Sequence, residues 1–573
     1  MSKNFLLTRR SLFTGSAVLG GLGLLTACGG GNEAGGASNA ESASALGVGE
    51  DIASLISVNP KERSELQEGG ELRLPSTQLG PDFNTNSASG NSSYTAVMIS
   101  ALSPITNTGL WHSDYEGNWT PNPDFCESFE EEKQGDKQTL VIKLNPDAKF
   151  NDGTPIDIEA LRTTWEILGK GGERGFNIVD AGPHEYIESI EQDGENIRVT
   201  MSKTYYPISD IFGSGVFHPA LNDKEVFNNG FIDDVHNEWQ AGPFKLEKWN
   251  SSEKVATLVP NENWWGEKPL LERITFRQME ASAARAAFKN GEIDVIGAST
   301  LTAYKDVEGT EGTEVRRGQR LFSGGLNMSS FRLPLEMRKA IFAAVDRKAL
   351  ADVRFNGLNW TEELPGSMML MPFSEYYEDN FGMVTENWDA GQILEEAGYT
   401  KSGDYYQKDG KNAKFAVTIF GDDPVSSALA QTLSQQMKDA GIECTVDNQP
   451  DANFGTVVGN KEFDLTFSGY TVGSDATLAA KQYYDSSNND GEGSGEIDQM
   501  IEEMGAIQDD VERNKKANEI ERKHMEEFAI MGTVFNTPDI YVAKTGLANY
   551  GVGLFGDPKY NPQMWSNIGW VAE

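Results

Sequence analysis

The sequence predicts an α/β fold, and the stretch from Ala241 to Ile296 carries the pattern most clearly. Three segments in it predict strands, because apolar side chains alternate with polar ones or β-branched and aromatic residues cluster: 244–249, 274–276 and 293–296. Between the last two, residues 281–289 are rich in alanine and free of Gly and Pro. This run predicts a helix, with Asn290-Gly291 as its left-handed C-cap. A strand–helix–strand unit of this length is expected to bury its helix against a sheet.

The loop within this stretch holds two tryptophans. The motif Asn263-Trp264-Trp265-Gly266 is bounded by turn-forming residues, and large aromatic side chains usually serve packing. We therefore expect both indoles to lean on the same core as the helix. Contact with a ligand is the alternative.

Three motifs occur in order along this stretch: Gly242-Pro243-Phe244-Lys245-Leu246, Asn263-Trp264-Trp265-Gly266 and Gly291-Glu292-Ile293-Asp294-Val295. Together they resemble the signature of the family 5 extracellular solute-binding proteins, the peptide-, nickel- and oligosaccharide-type receptors of ABC importers. A fourth segment, Ala148 to Ile156, is similar to a turn of that family. The resemblance runs from about Glu71 to the C-terminus. It implies a periplasmic-binding-protein-like fold with three lobes, in which two main lobes are joined by a hinge and one lobe is inserted.

The other segments alternate between strands and helices as well. Before residue 241 the patterns predict a strand at 71–74, a helix capped by Ser92 or Ser93, a strand at 140–144, a helix from Asp157 to Gly169 and a hairpin over 187–201. Beyond residue 296 they predict strands at 326–328, after Gly441, at 463–467 and at 541–543, and helices at 334–345, from Asp346, at 388–397, from Pro424 to Gly441 and, with a break, at 496–530.

The resemblance also implies the boundaries of the lobes. Lobe I is expected to comprise residues 68–120, 239–315 and 546–573, lobe II residues 121–238, and lobe III residues 316–545. Lobe II is inserted into lobe I, and lobe III closes over the solute about crossing strands.

The amino terminus is expected to lie outside this fold. Thr8-Arg9-Arg10-Ser11-Leu12-Phe13 followed by an apolar run to Leu25 predicts a signal peptide over residues 1–27, and the paired arginines favour Tat over Sec export without deciding it. Leu25-Thr26-Ala27-Cys28 resembles the lipobox of bacterial lipoproteins, which implies lipid on Cys28. Residues 28–67 are rich in Gly, Ala, Ser and Asn, so we expect a flexible tether.

Composition excludes several classes of function. The 573 residues have a net charge of -39, from 48 basic and 87 acidic residues, and nucleic-acid binders need basic surfaces. The mean hydropathy of -0.46 argues against a protein with several membrane spans. Cys126 and Cys444 are expected to be free thiols in different lobes; export would permit a disulfide, which is the alternative.

No catalytic or metal-binding pattern is present in the sequence. It lacks a Gly-x-Ser-x-Gly elbow, a phosphate-binding loop and a zinc motif, and its five histidines are scattered. A calcium-like start at Ser486 has Ile497 where a carboxylate is required. We expect no cofactor and no enzyme, although a hydrolase with two cleft carboxylates stays as an alternative.

The solute site is predicted from the resemblance, onto these residues: Asn91, Ser92, Ser93, Tyr94, Phe454, Ser468, Gly469, Tyr470, Thr471, Val472 and Asp475. In the family a Gly-Trp pair is followed by an aspartate that holds a peptide's α-ammonium. Here the pair is Gly469-Tyr470, and the aspartate position holds Gly473, so Asp475 would have to take that role. The alternative is that Asp475 is a turn residue.

The sequence thus predicts a lipid-anchored receptor of an ABC importer on the outer face of the cell membrane. Its expected partners are a peptide or other small solute, the permease and ATPase subunits, and the membrane through Cys28, but no nucleic acid; a monomer is expected. Two alternatives stay open, an envelope lipoprotein of the same fold that serves cell-wall assembly and a receptor for a non-peptide solute.

The lipobox leads to a first prediction. In the Cys28→Ala variant the only lipid attachment that the sequence offers is lost, so the protein should move from the membrane to the soluble fraction. Cell fractionation followed by immunoblotting measures this. A variant that stays fully membrane-bound would require a different anchor.

Overall fold

A computed structural model describes residues 52–134, 137–179, 181–450, 453–487, 492–558 and 561–572. The predicted signal peptide, Cys28 and the first part of the tether lie outside these residues, as does part of the calcium-like segment after Ser487. Within the described part of the chain, every helix is too short or too polar to cross a membrane.

The strands of the described residues are, in chain order, β1 (Leu66–Gln67), β2 (Glu71–Ser76), β3 (Trp111–Ser113), β4 (Trp119–Pro121), β5 (Cys126–Gln134), β6 (Lys137–Leu144), β7 (Ile187–Asp193), β8 (Asn196–Met201), β9 (Phe244–Asn250), β10 (Val255–Pro260), β11 (Arg273–Gln278), β12 (Val295–Gly297), β13 (Thr313–Met328), β14 (Thr400–Ser402), β15 (Tyr405–Lys408), β16 (Lys411–Asn412), β17 (Lys414–Phe420), β18 (Glu443–Gln449), β19 (Leu465–Thr471), β20 (Met531–Lys544), β21 (Leu547–Ala548) and β22 (Gly569–Val571).

The helices of the described residues are, in chain order, α1 (Ser93–Leu102), α2 (Pro104–Asn107), α3 (Ile158–Leu168), α4 (Gly171–Arg174), α5 (Lys224–Asn229), α6 (Ala281–Lys289), α7 (Leu301–Val307), α8 (Leu335–Ala344), α9 (Arg347–Arg354), α10 (Asn380–Thr385), α11 (Ala390–Glu396), α12 (Pro424–Asp439), α13 (Phe454–Gly459), α14 (Thr477–Tyr484), α15 (Gly495–Met504), α16 (Asp510–Phe528) and α17 (Met564–Asn567).

Three sheets lie in the segments that were predicted as lobes I, II and III, and these names are kept below for those segments. Lobe I contains the order β2-β11-β10-β9, lobe II the antiparallel order β5-β6-β8-β7, and lobe III most of the order β12-β20-β13-β19-β17-β18. Each sheet has its own hydrophobic core. The predicted α/β class is confirmed.

Capping residues in the sequence predicted the ends of several helices correctly. The Asp157 carboxylate accepts a hydrogen bond of 2.9 Å from the Glu159 amide at the start of α3, and Asp423 caps α12 in the same way. Gly291 follows α6 with a φ of +73°, the left-handed conformation expected of a glycine there.

The expected strand–helix–strand unit is built differently. β11 belongs to the sheet of lobe I, whereas β12 belongs to the six-stranded sheet. The helix between them, α6, packs through Phe288 into the core of lobe III. The two tryptophans lie against Phe125 in the core of lobe II, with ring centroids 5.9 Å (Trp264) and 5.5 Å (Trp265) away. The expectation of one shared core was wrong, because the stretch runs between lobes; packing as the role of the indoles was right.

Two long antiparallel strands, β13 and β20, connect the lobes. Their pairing runs from Thr313↔Lys544 to Asn327↔Met531 and is interrupted by irregularities between Gln319 and Ser323 and at Gly324. The sequence predicts only residues 326–328 of β13 and residues 541–543 of β20 as strand.

The segment before β1 is folded onto these strands. Ser57 and Val552 exchange backbone hydrogen bonds of 2.8 and 3.0 Å, and the side chains of Leu55 and Val58 are each 5% exposed. A Cβ on Gly318 would lie 2.0 Å from the Leu55 carbonyl oxygen, so the segment passes directly over β13. Residues 52–67, assigned to the tether from sequence, therefore pack against the folded body.

Both described cysteines are free, as predicted. Cys126 begins β5 in lobe II, and Cys444 lies on β18 in lobe III. Burial raises the pKa of the Cys126 thiol to about 12, which makes it a poor nucleophile.

The close passage over Gly318 gives a second prediction. In Gly318→Ala the added methyl group meets backbone, so residues 52–58 should detach and the free energy of unfolding should fall by about 1–3 kcal/mol. Urea denaturation with limited proteolysis of the N-terminal segment measures both effects. Gly297→Ala is the matched control, because its Cβ meets no atom within 4 Å. Equal stability of the two variants would contradict the prediction.

Candidate functional site

In lobe III the pairing of the parallel strands β17 and β19 stops before their carboxyl ends, and the gap between these ends is called the crevice. β17 and β19 pair only at Val417↔Leu465 and Thr418↔Thr466 and then separate. Beyond that point residues 467–471 pair with β13 on one side. On the other side they pair with no strand of the described chain. Carboxyl-end crevices of this kind are the usual ligand sites of α/β sheets.

The end of β19 is held firmly in place. A Cβ on Gly469 would lie 2.3 Å from the Phe322 ring, so glycine allows β13 and β19 to approach closely here. The Tyr470 ring packs 4.6 Å from that of Tyr483, and the Tyr483 hydroxyl donates a 3.2 Å hydrogen bond to the Thr471 carbonyl. Burial raises the pKa of Tyr470 to about 12, so its hydroxyl stays protonated.

Charged and phenolic groups also occur on β20, one of the two crossing strands. Asp539 on β20 accepts a 3.3 Å hydrogen bond from the Ser299 hydroxyl, and burial raises its pKa although Arg320 acts against this. The charge of Asp539 and burial raise the pKa of Tyr541 strongly. Both side chains are only half-buried.

One apolar cluster combines residues of lobe I, lobe III and the N-terminal segment. Leu321 and Val472 from β13 and the end of β19, Met371 and Phe373 from lobe III, and Leu554 and Phe555 from lobe I form one cluster with Leu55. The rings of Phe373 and Phe555 lie 6.4 Å apart. The cluster mixes residues of both main lobes, so these lobes are in contact beside the crevice.

Lobe II is closed against lobe III. The Tyr206 amide donates a 2.8 Å hydrogen bond to the Gly505 carbonyl. Lys481 pairs with Glu185 at 2.9 Å, and Lys203 pairs with Glu502. These contacts join residues that are about 300 positions apart in the chain, so lobes II and III touch along this edge.

Asp475, the predicted ammonium-binding residue, already has a cationic partner. Its Oδ2 atom accepts hydrogen bonds from Arg513 Nη2 at 2.7 Å and from Asn514 Nδ2 at 3.0 Å. Its Oδ1 atom accepts one from the Thr477 amide at 2.8 Å. Arg513 is buried, with 2% of its side chain exposed. Both carboxylate oxygens are thus occupied, which favours the alternative that Asp475 has a structural role.

The other predicted residues fall into two groups. Ser468 to Val472 lie together at the open edge of β19, and Phe454 flanks it by packing 5.0 Å from Phe420 at the end of β17. Ser92 caps α1 by accepting a 3.4 Å hydrogen bond from the Thr95 amide. Asn91 is exposed and Tyr94 is half-buried; the side chain of Ser93 lies outside the described part. No described contact connects this second group with β19, and its role in binding stays a prediction.

Several titratable residues of the crossing strands, their surroundings and the lobe junction were not singled out from sequence. They are Asp210, Arg320, Asp539, Tyr541 and Tyr550. The only sequence pattern that could have indicated them is the spacing of Asp539 and Tyr541 on one face of a strand. An ordinary exposed strand shows the same pattern. Among the described residues, no group of three His, Cys, Asp or Glu side chains is arranged to hold a metal ion.

Comparisons with known proteins agree on the family. The family described as "Bacterial extracellular solute-binding proteins, family 5 Middle" matches residues 120–492. The oligopeptide-binding protein OppA of Mycobacterium tuberculosis is 27% identical over 524 residues, which cover 89% of this chain and 87% of OppA. The nickel-binding periplasmic protein of Escherichia coli is 22% identical over 368 residues, covering 62% of this chain and 68% of that protein.

Solved structures share the fold. The periplasmic EDTA-binding protein EppA superposes with a TM-score of 0.79 at 23% identity, over 92% of this chain and 100% of EppA. The oligopeptide-binding protein AppA from Bacillus subtilis, solved with a nonapeptide, gives a TM-score of 0.69 at 19% identity, over 89% of this chain and 100% of AppA. The predicted periplasmic-binding-protein-like architecture is confirmed.

The pairing of Asp475 gives a third prediction. Asp475→Asn leaves the buried Arg513 without its best partner, so the free energy of unfolding should fall by about 1.5–3 kcal/mol. Urea denaturation measures this. Asp510→Asn is the matched control, because Asp510 also bonds Arg513 but is 61% exposed, and its loss should be smaller. A wild-type midpoint in Asp475→Asn would show that the pair does not stabilise lobe III.

Proposed function

Because the chain belongs to the family 5 bacterial extracellular solute-binding proteins, we propose that it is the receptor of an ABC importer and captures a peptide-like solute in the cleft between its lobes. The observation that carries the proposal is the unpaired edge of β19 at residues 467–471. An extended peptide can add a strand to such an edge, with its main chain bound by backbone groups.

The surroundings of this edge suit a peptide. The crevice is flanked by aromatic rings on one side, Phe454 and Phe420, and by the polar side chains of Ser468 and Tyr470 along the strand face. Main-chain recognition tolerates varied side chains, because its hydrogen bonds are independent of sequence. The curated relatives named as oligopeptide-binding proteins support the same class of solute.

Delivery completes the proposed role. Lipid on Cys28 would hold the receptor at the outer face of the membrane, and the closed, loaded form would dock on the permease. The contacts between lobes II and III described above are compatible with such a closed form. Closure of two lobes about crossing strands buries the solute and removes it from water.

The proposal is tested by calorimetry with a tetrapeptide, after native mass spectrometry has identified any co-purified ligand. A strand added to β19 directs alternate amides toward it, so N-methylation at every second residue should weaken binding by about 0.5–1.5 kcal/mol per amide. N-methylation at the intervening residues is the control and should cost little. Equal losses at all positions would exclude strand addition, and no binding by any peptide would favour a non-peptide solute.

A further inference from the structure

Asp210 of lobe II has an unusual position at the junction of the lobes. It ends a short 3-10 turn, Ile208–Asp210, directly after the Tyr206 amide that bonds Gly505 of lobe III. Gly505 also lies near the Tyr205 ring. Asp210 therefore lies at the junction of lobes II and III, within electrostatic range of Asp475 and Arg513 of lobe III.

The carboxylate of Asp210 is poorly compensated. Among the described residues its one side-chain hydrogen bond comes from the Tyr205 hydroxyl, at 2.8 Å, and no Lys, Arg or His lies within ion-pair distance. The charged groups that act on its pKa across the junction are Asp475, which raises it by repulsion, and Arg513, which lowers it to a smaller extent. Arg513 is committed to Asp475, as shown above. A half-buried carboxylate with one neutral donor is costly unless a cation joins it.

We propose that Asp210 is the counter-ion for a positively charged group of the solute, held at the junction of lobe II with lobe III. This inference rests on the proposed function and names the charge that the solute carries. The two aspartates differ in the hydrogen-bond donors that surround them. Asp475 is saturated by donors of its own lobe, whereas Asp210 retains an oxygen, Oδ1, that no described donor occupies.

The charged solute group would also assist closure. Asp210 and Asp475 lie on opposite lobes and repel each other when both are ionised. A cation bound at Asp210 removes that repulsion only when the lobes have come together, so it binds the closed form better than the open one. Differential affinity of this kind is what a ligand needs to shift a conformational equilibrium.

Three tetrapeptides of one sequence test the inference by calorimetry: one with a free α-amine, one acetylated, and one acetylated with lysine at its first position. Asp210→Asn should weaken binding of whichever cationic peptide binds best by about 10- to 100-fold, the scale of a charge-assisted hydrogen bond. Binding of the neutral acetylated peptide should change less than about threefold. Equal losses for charged and neutral peptides would overturn the inference.

A matched control separates charge recognition from closure. Glu185→Gln removes an ion pair between the same two lobes at Lys481, away from Asp210. It should weaken the charged and neutral peptides equally. If Glu185→Gln instead reproduces the selective loss, Asp210 is not the counter-ion. If the wild-type protein binds no peptide, the proposed function fails and the inference fails with it.

The pH dependence gives a readout that a structural role would not produce. Burial raises the pKa of Asp210 to about 7 in the absence of a cation. Binding of a cation needs the carboxylate, so affinity should be full above about pH 7 and should fall by up to about tenfold per unit below it. A lysine ammonium stays charged throughout that range, and an α-ammonium, with a pKa of about 7.7–8.0, is mostly charged at pH 7.5 and fully charged at pH 5.5. The fall should be absent in Asp210→Asn; a wild-type affinity that is flat from pH 7.5 to 5.5 would contradict the assignment.

Discussion

The pairing of β13 with β20 is the constraint on which the rest of the molecule depends. Successive side chains of a strand point to opposite faces, and β20 uses this to serve two cores. Ile540 and Val542 pack in the core of lobe III, whereas Tyr541 and Ala543 pack with lobe I. A slip of one residue would exchange the two sets, so the register must be fixed. The irregularities near Ser323 and Gly324, and the segment lying over Gly318, restrict such a slip.

The contacts that close lobe II on lobe III are weak by comparison. Lys203 and Glu502 are both more than half exposed, and exposed ion pairs contribute about 0–1 kcal/mol each. Lys481 and Glu185 are little better protected. Contacts this weak align lobe II with lobe III but do not prevent the two lobes from separating. The position of the equilibrium is then left to whatever occupies the cleft, because a solute with a few kcal/mol of preference for the closed form exceeds all these pairs together.

Sequence reasoning predicted those features that local chemistry decides. The cap at Asp157, the start of α12 at Pro424 and the glycine after α6 follow from rules that involve a few neighbouring residues. The length of β13 was missed, because Gly318 and the glycines at 324–325 break the alternation that marks a strand. The shared core of α6 and the tryptophans was wrong for a related reason: which sheet an element joins is decided by long-range packing.

The same distinction governs the site. Residues 468–472 were predicted from the family resemblance, and among the described strands they pair with β13 on one side only. The function of a carboxylate depends instead on the donors that folding brings to it. Asp475 pairs with Arg513, 38 positions later in the chain, and no local sequence pattern predicts that partner. Asp210 lies in a turn of another lobe, and its carboxylate accepts one side-chain hydrogen bond, from the Tyr205 hydroxyl. Family motifs can therefore direct attention to one strand edge, but the charge that a solute would meet there is a property of the assembled lobes.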